Sequence, residues 1–156
     1  MERTDTQALT LVVRQLFRAA RARVFEAWTD PQAITQWFGP RGCECFAAEV
    51  DARVGGRFRV ELGMQGGPRW SASGIFVEID RPSRIVMTWR WNGTPMDDDY
   101  ESLLSIDITE RGANSELMLT HERLPARARS EHDAGWRQSL QKMQALLEST
   151  IPDTAL

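Results

Sequence analysis

The chain has 156 residues, enough for one well-buried core and short for two domains. Its 42% apolar and 26% charged residues read as a soluble globular protein, and a net charge of −3 with a pI near 5.5 gives nucleic acid or an anionic membrane no electrostatic reason to bind. No apolar run approaches the roughly 20 residues of a membrane helix. Met1 leads into charged Glu2-Arg3 with no apolar stretch behind it, so no signal peptide and a cytoplasmic location are expected.

Leu9 to Phe17 reads as a strand, with Leu9, Leu11, Val13 and Phe17 alternating onto one face. Val24, Phe25 and Trp28 then have helical spacing. Asp30-Pro31 supplies an N-cap and a first-turn proline for a second short helix bearing Ile34, Trp37 and Phe38, which Gly39-Pro40 ends. From Glu44 the period is two: Phe46, Ala48 and Val50 precede a Val54-Gly55-Gly56 turn, and Phe58, Val60, Leu62 and Met64 follow it. Gln65-Gly66-Gly67-Pro68 turns the chain into Trp70 to Ile79. Arg81-Pro82-Ser83 turns it into Ile85 to Trp91, and Asn92-Gly93 is a strong turn signal. Tyr100 to Thr109 and Ser115 to Leu124 form a last hairpin, so the strands meander and an antiparallel sheet is expected.

The final helix is read over residues 130–149. Ser130-Glu131-His132-Asp133 has the pattern of a capping box, and Trp136, Leu140, Met143 and Leu147 make one apolar stripe. Two short helices after the first strand, a run of strands and one long C-terminal helix is the order of an α+β helix-grip fold, in which a curved antiparallel sheet wraps a helix. Nothing interrupts the chain, so one domain over 1–156 is expected, with a core of about 8–149 and loose ends at 1–7 and 150–156.

Several pieces carry a resemblance. They are Phe25, Trp28, Thr29-Asp30-Pro31, Trp37-Phe38-Gly39-Pro40, Asp51-Ala52-Arg53-Val54-Gly55-Gly56-Arg57-Phe58, Gly74, Trp89, Thr120-His121 and Gly135-Trp136. In that order they resemble the family named for the activator of heat-shock-protein-90 ATPase, within the lipid-transfer and pollen-allergen-like helix-grip (SRPBCC, START-like) superfamily. The resemblance implies a fold rather than an activity, since that superfamily hosts transport, binding, cyclase and regulatory roles. Eukaryotic co-chaperone members are similar to this chain only in their C-terminal domain, so a chaperone partner is not expected.

Phe58, Trp70, Met87, Trp89, Trp91, Met118, His121 and Trp136 are the expected lining of a hydrophobic cavity under the last helix, because large aromatics and pliable Met suit pockets for apolar ligands. The Ile85-Met87-Trp89-Trp91 face is taken as the inward one. His121, on a strand of Leu117, Met118 and Leu119, is either satisfied by a neighbour or could assist proton transfer. His132, in the first turn of the final helix, is expected to be solvated, and His121, Glu122 and His132 lack the tight spacing of a zinc site. Cys43 and Cys45 read as buried structural thiols, since direct bridging at that separation is strained and two thiolates alone make an incomplete metal site. The acidic run Asp97-Asp98-Asp99-Tyr100-Glu101 reads as a solvated loop without calcium-loop spacing.

No nucleophile elbow, phosphate loop or dinucleotide fingerprint is present. The expectation is a binding protein for a small apolar or amphipathic molecule, without turnover, cofactor or metal. Two alternatives stay open: a cyclase- or dehydratase-like enzyme using His121, and a chaperone-related protein-interaction module. The expected partner is a small hydrophobic molecule; a homodimer is left open, and neither nucleic acid nor a membrane span is expected.

Overall fold

A computed structural model describes residues 8–93 and 100–149. In chain order these form β1 (Ala8–Phe17), α1 (Arg21–Thr29), α2 (Pro31–Trp37), β2 (Glu44–Val50), β3 (Arg57–Gly63), β4 (Arg69–Asp80), β5 (Arg84–Asn92), β6 (Ser102–Arg111) and β7 (Asn114–Pro125). A 3-10 turn at Ala126–Ala128 then leads into α3 (Arg129–Ser149). The strands make one antiparallel sheet in the order β1-β7-β6-β5-β4-β3-β2. Strands β2 to β7 each lie beside their chain neighbours. The single non-local pairing lays β1 on β7, where Leu11 faces His121 and Val13 faces Leu119. This is the α+β helix-grip architecture, a curved sheet with the long C-terminal helix across its inner face.

Alternation decides what faces that helix. Ile85, Met87 and Trp89 on β5 are fully buried, while Thr88 and Arg90 between and beyond them point outward. Phe58, Val60 and Leu62 on β3 and Leu117, Leu119 and His121 on β7 complete the inner layer, and Trp136, Leu140, Met143 and Leu147 of α3 close over it. Phe58 lies opposite Gly74, where a side chain is excluded: a Cβ would stand 1.7 Å from the Thr88 carbonyl oxygen.

The two short helices seal one side of this layer. The Asp30 carboxylate accepts from Gln32 N at 3.1 Å with Pro31 at the first helical position, and the Trp37 indole donates to the Ala27 carbonyl at 2.9 Å. Separate contacts anchor α3 along its length. Its middle holds the chain after α2, where Ser139 Oγ accepts from Gly39 N and Lys142 Nζ donates to Gly39 O. Its C-terminal half is tied to β1 and α1, through Gln144 to Gln15, Glu148 to the Arg18 amide, and the Leu147 carbonyl to Arg23.

Four details differ from the sequence reading. Helix α3 starts at Arg129 out of the 3-10 turn, so Ser130 lies inside it, and Asp133 pairs with Arg137 instead of closing a capping box. A bulge between Cys45 and Ala47 turns Phe46 away from the Ala48–Val50 face, and the Arg69 guanidinium stacks 3.8 Å over its ring. β3 ends at Gly63, which leaves Met64 exposed. His132 is buried, not solvated. Asp97–Asp99 of the acidic run, and the end segments 1–7 and 150–156, lie outside the described residues.

Candidate functional site

Most of the predicted lining residues meet under α3. Trp89 is the hub: its ring lies 5.8 Å from Phe38 and from Phe58, 5.7 Å from Trp91, 6.2 Å from His121 and 5.5 Å from Trp136. Met87 is buried two residues before it on the same face. Trp70 and Trp91 share that inner face, opposite Leu62 and Ala72, but sit toward the strand ends and remain half-exposed, as does Tyr100. Met118 does not belong to the site. It pairs with Arg14 and Asp107, on the opposite face from buried Leu117, Leu119 and His121. The run Leu117-Met118-Leu119 is apolar throughout, so hydrophobicity alone could not choose its face.

The cluster is filled by its own rings. Phe58, Met87, Trp89, His121, Leu140 and Met143 are each 0% exposed, so no water-sized void adjoins them. Among the described residues, an open groove of about 490 Å³ lies instead between α1 and the β4–β5 turn, bordered by Phe25, Glu26, Asp30, Arg81 and Pro82.

A polar chain threads the apolar layer, and its donors fix both histidine tautomers. The Trp136 indole N–H can only donate, and it does so to His121 Nδ1 at 3.1 Å. His121 therefore carries its proton on Nε2, which donates to Ser102 Oγ at 2.7 Å, and the Ser102 hydroxyl in turn donates a hydrogen bond to the Trp89 carbonyl at 3.1 Å. The Trp91 indole N–H donates to His132 Nε2 at 2.9 Å, so His132 carries its proton on Nδ1 and donates to the Ala128 carbonyl at 2.8 Å. The two imidazoles thus hold opposite tautomers, with ring centres 5.0 Å apart.

Burial drives both toward neutrality. It pushes His121 well below its ordinary value, helped by the neighbouring His132. Burial also lowers His132, against the opposing pull of the Ala128 carbonyl and Glu131. With both ring nitrogens engaged and no solvent contact, His121 has no free lone pair for a substrate. Glu122 lies on the other face of β7, opposite Leu103, so the His121–Glu122–His132 set does not converge. No group of three or more potential metal ligands occurs among the described residues. Cys43 and Cys45 are free thiols, both raised by burial, Cys45 to about 11, so burial favours the protonated form of each.

Two polar groups in the cluster are unanswered. The Trp89 indole N–H is sealed among the rings with no acceptor among the described residues, and so is that of Trp28. Sequence reading missed Phe38, Ser102 and His132 as members of this site. Ser102 is a lone small hydroxyl on a strand and carries no signal, whereas His132 lies four residues before Trp136 and extends the apolar stripe by one turn.

The fold and its inner aromatic layer define a helix-grip protein. The family model described as Activator of Hsp90 ATPase homolog 1-like protein matches residues 18–148, and the chain belongs to that family. Among solved structures, a Chromobacterium violaceum protein is 28% identical, with a TM-score of 0.80 over 89% of this chain and 96% of that one. The AHSA1 protein of Silicibacter pomeroyi is 26% identical, with a TM-score of 0.80 over 90% and 99%. CalU16 of Micromonospora echinospora is 26% identical, with a TM-score of 0.68 over 95% and 80%. No curated protein matches. No helix among the described residues is long and apolar enough to cross a membrane.

Proposed function

We propose that this single-domain protein binds a small, flat, largely apolar molecule with a hydrogen-bond acceptor, between the inner sheet face and α3, without turning it over. The observation that carries this reading is the Trp89 N–H, a buried donor with no acceptor among the described residues, at the centre of a Trp, Phe and Met cluster. An unmade buried hydrogen bond costs about 1–3 kcal/mol, and a ligand carbonyl or ether would recover it. Half-exposed Trp70, Trp91 and Tyr100 continue the cluster outward and supply an entrance lined by rings. The closed packing means that entry displaces side chains or the start of α3. Family membership adds support, because this fold commonly holds hydrophobic ligands. The free thiols Cys43 and Cys45 fit a reducing compartment such as the cytoplasm. Native mass spectrometry of protein purified from its own host, with Nile red titration of the stripped protein, tests the reading. A retained small molecule, or saturable one-site dye binding, supports it; neither retained mass nor saturable binding sinks it.

The filled cluster favours one second reading, a protein-interaction module. In it the core is solid and the outward face of the sheet, with exposed Val12 and Leu16 on β1 and Ile75 and Val77 on β4, meets a protein partner or a second copy. Under this reading Nile red does not bind under α3.

A further inference from the structure

We propose that His132 and His121, each held by a tryptophan donor, form a proton-sensitive latch that fastens the N-terminal end of α3 over the inner face and releases it on acidification. As the regulation of a ligand site this rests on the binding reading above; as a property of the helix it stands alone. Only neutral imidazoles can accept from Trp91 and Trp136. Protonation of His132 at Nε2 would set two N–H donors against each other at the 2.9 Å contact with Trp91, with the new charge beside the His121 ring. Protonation of His121 at Nδ1 would do the same against Trp136.

His132 is the first to respond. It is 8% exposed against 0% for His121, and its Nδ1–H bond to the Ala128 carbonyl survives protonation. Among the described residues, the groups facing it are few. From β5 comes the uncharged indole of Trp91, from β7 His121, and from α3 the attraction of exposed Glu131. Beyond His121, from β6, stands the uncharged hydroxyl of Ser102. Among the described residues, none supplies a buried carboxylate that would keep a histidinium in place. The other anchors of α3, at Ser139, Lys142, Gln144, Leu147 and Glu148, contain no histidine, so the acid response is confined to the first two turns. The 3-10 turn at Ala126–Ala128 is the joint about which they would lift.

Hydrogen exchange resolved along α3, corrected for the intrinsic pH dependence of exchange, tests the latch. Between pH 7.5 and 5.5, residues 129–136 are expected to exchange at least tenfold faster while 140–149 change little. His132→Gln, whose amide oxygen can accept from Trp91 but takes up no proton, is expected to lose most of that response. Should that variant fail to fold, Trp91→Phe, which removes the opposing donor, is expected to flatten it. Equal acceleration along the whole helix, or an unchanged response in the variants, overturns the latch. Nile red binding at both pH values separates the two proposals. Local opening without any dye binding removes the ligand reading and keeps the latch; dye binding with no local opening does the reverse.

Discussion

Trp136 and His121 meet through a 3.1 Å hydrogen bond from the indole N–H to Nδ1, a bond that crosses from α3 to β7 and decides which histidine nitrogen is bare. Ring packing and polar satisfaction therefore depend on the same side chain. Trp136 also touches Trp28, Phe38 and Trp89, so the helix is seated by an aromatic plug whose polar edge is answered.

Two substitutions separate those contributions. Trp136→Ala removes ring and donor together and is expected to cost about 3–5 kcal/mol, as for other buried large-to-small changes. Trp136→Phe keeps most of the ring but strands the Nδ1 lone pair of His121, which adds about 1–3 kcal/mol to its packing loss. Denaturant unfolding gives both values, and a loss below about 1 kcal/mol for the Ala variant would contradict the burial of Trp136.

The buried neutral histidines also set a pH dependence. Their folded-state values lie below the ordinary one, so the unfolded chain binds protons more readily. Stability is then full above about pH 6.5 and declines as pH falls through that value toward the folded-state values. Each histidine contributes a slope approaching about 1.4 kcal/mol per pH unit in that window. Urea midpoints measured from pH 7.5 to 5 should fall with this sign, and His132→Gln should remove one histidine's share. Stability that rises on acidification over this range would contradict the neutral, buried pair.

The Gly55-Gly56 turn gives two unequal costs. Gly55 has a φ of +87° with open space around it, so Ala there meets backbone strain only, about 1 kcal/mol, and Asn should be tolerated better. A Cβ on Gly56 would lie 2.0 Å from the Asp51 carbonyl oxygen, a contact no rotamer relieves. Gly56→Ala should therefore destabilise clearly more than Gly55→Ala, as thermal unfolding would reveal; equal effects would mean that the turn is built differently.

Period and punctuation made the fold legible, while the site was legible only in part. Alternation over Ile85–Trp91 offered two faces without deciding between them, and the face taken as inward is the one that carries buried Ile85, Met87 and Trp89, while Asp30-Pro31 and Gly39-Pro40 bounded the second helix. Where the local signal is uniform or absent, tertiary pairing decided instead. Leu117-Met118-Leu119 offers no alternation, so the facing of His121 to Leu11 and Leu104 settles which of them point inward. A bulge at Phe46 leaves no trace in an apolar run. His132 looked like a solvated first-turn residue because its acceptor role depends on Trp91, forty-one positions away.

Trp89 and Trp136 provide the sharpest comparison. Both are buried indoles in one cluster, but among the described residues the Trp136 N–H is answered and the Trp89 N–H is not. Trp→Phe removes similar volume at each, while only at position 136 does it leave a stranded partner; at 89 it removes a stranded donor. Trp89→Phe should accordingly cost about 1–3 kcal/mol less than Trp136→Phe. Ligand binding should respond in the opposite sense. Fluorenone and fluorene are flat, nearly equal in shape, and differ in a carbonyl that can accept from Trp89. If the orphaned donor serves a ligand, the native protein should favour fluorenone, relative to Trp89→Phe, by roughly tenfold, the equivalent of one hydrogen bond of about 1.4 kcal/mol. Isothermal titration of both compounds into both proteins closes that cycle, and taking the ratio between proteins cancels their difference in hydration. An unchanged fluorenone-to-fluorene ratio in Trp89→Phe would show that the indole N–H takes no part in recognition, leaving Trp89 only as packing.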